Sequence, residues 1–430
     1  MAGVYVHIPF CKSRCKYCDF FSTTLLERRE DYVQAVLREL EERKDYLGTE
    51  RVGTVYFGGG TPSMLSPEQI GTVLEGIRKR FVLESDAEVT LEANPQDVDA
   101  AKLEAWKQVG VNRLSMGVQT FGDAKLCAIG RRHNAEQAFA AVRAAKEAGF
   151  GNISIDLIYG LPGETMDEWK RDVSQAIGLE IQHVSAYCLS YENGTELTKM
   201  LERGEIEEVD EEVENAMYDY LVEALAAAGL ERYEVSNFAK PGFESRHNSS
   251  YWKGIKYLGV GAGAHSYDGE SRQWNVSDLE AYLRGLLPLR KSSENIPQNP
   301  RYARPPAPFH GRHGSEEYLQ SNRIACGDRG SKELEGEEAR GRMDFEKGER
   351  RYWECEVLSE EDRYNEMVML GLRTREGVKL EDVPERFRGH CEEKALPYLE
   401  KQWLKQVGGR LVATNEGIHV LNRVIEDLMV

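Results

Sequence analysis

The feature that most constrains this chain is a strand–helix alternation running from residue 4 to residue 189. Short apolar stretches at 4–8, 52–57, 88–93, 113–118, 153–159 and 183–189 read as strands. Segments of helical spacing lie between them. In 27–46 the apolar residues are Tyr32, Val33, Val36, Leu37 and Leu40. The next helix begins at Ser66-Pro67, a serine N-cap with proline at the first helical position. A helix around 100–108 stops at Gly110, and one at 135–148 closes at Gly149. Strands that return every ~30 residues through a helix mark parallel βαβ units. Six of them in series point to a barrel or partial barrel, although the alternation alone also fits a doubly wound sheet. In a barrel, function belongs on the loops after the strands' C-terminal ends.

The loop after the first strand carries Cys11, Cys15 and Cys18 in a C-x3-C-x2-C spacing. Four-iron clusters are normally held by four thiolates. Three leave one iron open, and an open position is where metal chemistry happens. A zinc knuckle or three unrelated buried thiols are the plainer readings. Zinc, however, usually takes four protein ligands from two hooks, and no second hook follows here. The loop after the second strand is Gly58-Gly59-Gly60-Thr61-Pro62. Its glycines let backbone approach a ligand closely, and its N–H and C=O groups can grip a carboxylate or an ammonium. A lone triglycine is usually just a turn. Glu92, Gln119 and Asp156 lie in or just after strands, where a bland exposed polar residue is less expected; Arg131 reads equally as a surface base. His247-Asn-Ser-Ser-Tyr-Trp252 reads first as a loop histidine with two packed aromatics, since lone histidines are seldom ligands. A histidine beside large aromatics can also serve as an axial haem ligand.

Length and charge bound the rest. A chain of 430 residues suggests roughly two or three domains and buries a sizeable core. The net charge of −18, from 55 basic and 73 acidic residues, argues against a broad nucleic-acid surface. No run approaches the ~20 apolar residues of a membrane span. No basic-then-apolar leader precedes Cys11, so the expected compartment is a reducing cytoplasm. The remaining cysteines (Cys127, Cys188, Cys326, Cys355 and Cys391) are scattered and read as packing residues or inert thiols.

Four regions are expected: a barrel over 1–240, an extension over 241–295 with the histidine–aromatic stretch and Tyr257-Leu-Gly-Val-Gly-Ala-Gly-Ala-His-Ser266, a segment over 296–350, and a C-terminal domain over 355–430. Residues 296–350 hold five prolines and seven glycines but only seven Ile, Leu, Val, Phe or Met. So little apolar surface cannot offset the entropy of ordering. The segment reads as a disordered insertion or a translated frameshift, and no function is assigned to His310, His313 or Cys326. The C-terminal region, with a helix at 361–371 and a hairpin at Gly408-Gly409, reads as a small α+β domain similar to a winged helix. That shape often binds DNA, but its helices lack an obvious basic face and fold does not fix function.

The cysteine spacing, with Tyr17 before the third cysteine and Ile8-Pro9-Phe10 leading into the first, resembles the radical S-adenosylmethionine (radical SAM) superfamily. The resemblance implies an open (β/α)6 barrel and a 4Fe–4S cluster on Cys11, Cys15 and Cys18. It implies that the open iron chelates the amino and carboxylate groups of SAM, and that an electron from the cluster yields a 5′-deoxyadenosyl radical. Gly59, Gly60 and Thr61 match the segment that binds the SAM amino group. Glu92, Gln119, Arg131 and Asp156 match polar SAM contacts, and Tyr5 and Tyr17 lie near cluster and adenine.

His7-Ile-Pro-Phe-Cys, the triglycine, Tyr159-Gly-Leu-Pro-Gly, His247-Asn-x-x-Tyr-Trp and Gly263-Ala-His-Ser together resemble the oxygen-independent coproporphyrinogen III oxidase family, over about 1–290 and 355–430. Within it they are similar to the haem chaperone branch. The oxidase has a fourth cysteine two residues after the third, where this chain has Phe20, and a longer segment before the cluster; the H-N-x-x-Y-W pattern belongs to the chaperones. The branch implies a protein that binds cluster, SAM and haem, with His247 as candidate haem ligand and no catalytic residue assigned. Its implied partners are haem-accepting respiratory enzymes and an electron donor, with no nucleic acid; peripheral membrane contact and a homodimer stay open. The alternative is the oxidase reaction itself, a radical decarboxylation of coproporphyrinogen III.

Overall fold

The computed structural model describes residues 1–288 and 352–430; the segment over 296–350, with His310, His313 and Cys326, lies outside the described residues. Six parallel strands stand side by side in chain order: β1 (Ala2–Ile8), β2 (Val52–Gly59), β3 (Leu83–Ala93), β4 (Arg113–Gln119), β5 (Ile153–Tyr159) and β6 (His183–Cys188). The helices between them are α1 (Arg29–Glu42), α2 (Pro67–Arg80), α3 (Ala100–Val109), α4 (Asp123–Ala128), α5 (Ala135–Glu147) and α6 (Met166–Gly178). Local chemistry sets their ends. Capping boxes pair Ser66 with Gln69, Asn134 with Gln137 and Thr165 with Glu168. Gly110 closes α3 at φ 109°, a conformation that favours glycine.

The barrel is open. After α7 (Glu196–Glu202) and α8 (Glu211–Ala227), the hairpin β7 (Glu231–Arg232) and β8 (Asn237–Ala239) occupies the free edge of β6. Between β7 and β8 the Glu234 carboxylate folds back onto the Ser236 N–H and the Asn237 amide. The chain then forms α9 (Arg246–Trp252) and β9 (Tyr257–Val260), which pairs with the free edge of β1. The sheet continues through β10 (His265–Tyr267) and β11 (Ser271–Asn275); α10 (Leu279–Leu286) follows.

The two faces of the six-stranded wall differ sharply. Val4, Val6, Ile8, Val55, Phe57, Val89, Leu91, Leu114 and Met116 face the helices and belong to the main core. Their alternates face inward and are polar. Across the register, Gly3 meets Thr54 and Tyr5 meets Tyr56; Thr54 in turn meets Glu88, and Thr90 meets Arg113. Side chains on this face bond across strands, Ser115 to Asp156 and Ser154 to His183. Parallel sheets usually bury apolar residues on both faces; this one encloses a polar lumen.

β12 (Trp353–Val357) pairs antiparallel with β11, so the chain rejoins the large sheet before the C-terminal unit begins. That unit comprises α11 (Glu360–Leu372), β13 (Val378–Lys379), α12 (Glu385–Glu400), β14 (Leu404–Val407), β15 (Arg410–Ala413), α13 (Asn415–Ile418) and α14 (Leu421–Leu428). Its strands order β13-β15-β14, a winged-helix-like layout, and Gly408 and Gly409, both at positive φ, turn the β14–β15 hairpin. A buried Arg272–Glu366 ion pair and the Val235 N–H bonded to the Arg373 carbonyl join it to the barrel. Among the described residues no helix is long and apolar enough to cross a membrane.

Candidate functional site

The cysteine loop is closed at its neck. Cys11 N donates to the Thr23 carbonyl at 2.9 Å, and Thr23 N to that of Pro9 at 2.7 Å. Further along, Lys16 N bonds to the Ile129 carbonyl and Leu197 N to that of Lys16, which ties the loop to the ends of β4's and β6's connections. Cys11 Sγ sits 3.3 Å from Thr61 Oγ1, and Arg131 Nη1 lies 3.6 Å from Cys15 Sγ. Burial pushes the Cys18 thiol up to about 12, and the neighbouring Cys15 and Cys11 push the same way. Burial also raises Cys11, against the pull of Thr61. The Cys11 and Cys18 thiols, with the half-buried Arg131 as the nearby cation, need more positive charge before they ionise. Iron bound there as a cluster would supply that charge, because metal coordination deprotonates thiols. Among the described residues no three His, Cys, Asp or Glu side chains converge on a single-ion site. A cluster holds its thiolates at separate corners and does not require that convergence.

Beside this loop runs the glycine segment. Gly59 has φ 105°, and a Cβ there would strike the His7 ring at 2.5 Å; one on Gly60 would meet the Pro9 carbonyl carbon at 2.8 Å. The Glu92 carboxylate accepts Gly59 N–H at 3.1 Å and the Tyr56 hydroxyl at 2.8 Å. On the opposite wall Gln119 is held at φ 69°, a left-handed backbone rare outside glycine. Arg131 bonds the Gly117 carbonyl. Burial opposes the Arg131 charge, yet Tyr17 and Cys15 outweigh it and raise its affinity for the proton. Asp156 accepts from Ser115 at 3.2 Å, and burial raises its pKa.

Tyr5, Cys11, Cys15, Tyr17, Cys18, Gly59, Gly60, Thr61, Glu92, Gln119, Arg131, Asp156 and His247 all line one cavity of ≈ 220 Å³, which opens beside the cysteine loop and extends down the lumen. Phe20, standing where a fourth cysteine would be, lines it too.

His247 is placed differently from an open haem ligand. Its Nδ1 lies 2.8 Å from Thr54 Oγ1 and its Nε2 2.8 Å from the Tyr251 hydroxyl, so both ring nitrogens are engaged. The ring stacks on Tyr56 and Tyr5 and packs against Gly3 at the start of β1, the end of the lumen away from the cysteines. Burial lowers its pKa to about 3. The Glu88 carboxylate accepts the N–H groups of Arg246 and His247, pinning the start of α9 beneath the barrel. In this arrangement His247 is part of the barrel floor.

Sequence reasoning assigned nothing to several residues of the lumen, among them His7, Tyr187, Tyr257 and His265. A period-two polar pattern in Gly3-x-Tyr5-x-His7, Thr54-x-Tyr56 and Ser154-x-Asp156 was the available signal.

An open parallel barrel with a three-cysteine loop at the C-terminal end of its first strand defines a radical SAM protein, and the model of the Radical SAM superfamily matches residues 5–176. The HemN C-terminal domain matches 358–420. Within the superfamily the chain belongs to the HemW family. It is 40% identical over 285 residues to the Heme chaperone HemW of Bacillus subtilis, covering 66% of this chain and 75% of that one. It is 39% identical over 268 residues to the Heme chaperone HemW of Escherichia coli, covering 61% and 69%. The fold is also that of the coproporphyrinogen III oxidase HemN from Escherichia coli, with a TM-score of 0.73 at 19% identity, over 100% of this chain and 90% of that one.

Proposed function

We propose that this protein binds a 4Fe–4S cluster on Cys11, Cys15 and Cys18 and SAM in the upper lumen, and that it carries haem for delivery to respiratory enzymes in the cytoplasm. The convergence of these cysteines, Gly59, Gly60, Thr61, Glu92, Gln119, Arg131 and Asp156 on one cavity carries the reading. The cluster supplies an open iron for chelation and a source of electrons, which calls for an electron donor. Glu92, already gripping the glycine segment, presents a carboxylate for an ammonium group, and Arg131 holds positive charge beside the thiolates.

The haem step rests on kinship with proteins named for it and on Phe20, which puts an aromatic ring where the oxidase resemblance asks for a cysteine. The competing reading is the oxidase reaction, which the shared fold favours but does not imply, since fold does not fix function. Anaerobic incubation of reduced, cluster-loaded protein with SAM and coproporphyrinogen III separates the two. The expected result is haem binding in a parallel titration and no decarboxylated product. A vinyl product would overturn the chaperone reading.

A further inference from the structure

The histidines around the lumen differ in what their nitrogens do. His7 bonds the Phe21 carbonyl at 2.9 Å and faces the Tyr5 hydroxyl at 3.2 Å. His183 lies between Ser154 Oγ and the Tyr233 hydroxyl, and His247 between Thr54 and Tyr251. His265 lines the same cavity, and none of the described hydrogen bonds uses its ring. Nor does either nitrogen count among the sealed, unpartnered polar atoms, so the ring nitrogens are not closed off by neighbouring atoms. The side chain is partly exposed, unlike His7, His183 and His247.

The backbone around His265 is arranged to bring it there. Gly263 turns the chain at φ 77°. Gly259 has no Cβ because one would fall 1.9 Å from the His265 carbonyl oxygen, so β10 crosses against β9 with no room for a side chain. The His265 ring lies near-parallel to Trp274, at 28° with centroids 6.3 Å apart. The preceding Ala264 closes a small apolar patch with Tyr5 and Tyr56. The result is a free imidazole beside flat apolar walls. Burial lowers its pKa to about 4, which keeps it neutral and its lone pair available at neutral pH. The ≈ 220 Å³ of the cavity is below the ~300–1,000 Å³ of pockets that enclose a drug-sized ligand. A tetrapyrrole would therefore enter by one edge, and its metal would have to be met by a residue that is itself partly exposed.

We infer that His265, rather than His247, is the residue that ligates the iron of a metalloporphyrin carried by this protein. The assignment rests on the haem-carrying reading above. Its test is an anaerobic haem titration of cluster-loaded wild-type, His265→Ala, His265→Gln and His247→Ala proteins. Absorption and low-temperature electron paramagnetic resonance report the iron's ligand, while labile iron, SAM binding and the thermal midpoint report integrity. The wild type is expected to give an imidazole-type ferric spectrum. His265→Ala and His265→Gln should lose it, bind haem at least about tenfold more weakly and regain the spectrum with added imidazole, with cluster and SAM binding intact. His247→Ala should keep the spectrum in whatever fraction folds. An unchanged spectrum in either His265 variant overturns the assignment and leaves the haem reading standing; so does a wild-type spectrum without an imidazole ligand, which needs no variant to fold. Absence of stoichiometric haem binding by the wild type overturns both.

Discussion

Thr54 Oγ1 and His247 Nδ1 lie 2.8 Å apart, joining the second strand to a helix 193 positions later and closing the lumen from below. Replacing His247 by alanine removes this bond and the one to Tyr251, leaves the Thr54 hydroxyl without its partner, and opens space against Gly3. A lost buried ring together with an unpaired hydroxyl costs about 2–4 kcal/mol. Denaturant unfolding of cluster-loaded His247→Ala should show that loss, while haem affinity of the folded protein stays unchanged. Weakened haem binding at undiminished stability would instead make His247 a haem contact.

Glu92 predicts the opposite pattern. Its carboxylate serves Gly59 N–H and Tyr56 hydroxyl from the cavity wall. Glutamine keeps an acceptor for one of these and removes the charge. Since hydrogen bonds to charged groups contribute ~1.5–3 kcal/mol, Glu92→Gln should weaken SAM binding about tenfold or more. Equilibrium dialysis with SAM measures this, and labile iron should match the wild type. Retained affinity would remove Glu92 from the SAM site.

Much of this architecture can be read from residues. The strands at 4–8 and 153–159 and the cap at Ser66-Pro67 stand in the structure where local propensity puts them. The strand ends and the loops that follow them bring Cys11, Thr61, Glu92 and Gln119 to one cavity, because a parallel barrel points all its strand ends the same way. What sequence conceals is long-range. His247 faces Thr54 and Glu88 because α9 returns beneath the barrel, and no local spacing encodes that return. β12 covers the edge of β11, and its residues are mostly exposed, so it leaves no apolar periodicity to detect. The boundary expected at 355 falls inside that strand for this reason. The free ring of His265 likewise depends on the missing Cβ of Gly259, visible only once the strands are placed.

The loop after β5 carries a pH-dependent element. Burial raises Glu164 from 4.5 to about 8, with Asp172 nearby adding to the effect, while its Oε2 accepts the Leu161 N–H at 3.1 Å. Unfolded, the group releases its proton near 4.5; folded, it holds it to about 8. The folded state therefore binds more protons in this window, and stability falls as pH rises through it. This contribution is fully present below pH 4.5 and gone above about 8. Thermal midpoints of wild type and Glu164→Gln from pH 5 to 9 should diverge in the variant's favour as pH rises. Parallel curves would show that Glu164 does not carry the dependence.

Gln119 sits at φ 69° at the end of β4, where the register to β5 also shifts. A non-glycine residue in the left-handed region stores roughly 1–2 kcal/mol. Glycine relieves that strain but adds freedom to the unfolded chain worth about 0.4–1 kcal/mol. Gln119→Gly should therefore be as stable as the wild type or up to ~1.6 kcal/mol more so. If the strained backbone is kept to aim the Gln119 side chain at SAM, the same variant should bind SAM more weakly. Paired unfolding and SAM-binding measurements decide it: unchanged affinity with raised stability would mean the strain serves the turn into the following loop and not the ligand.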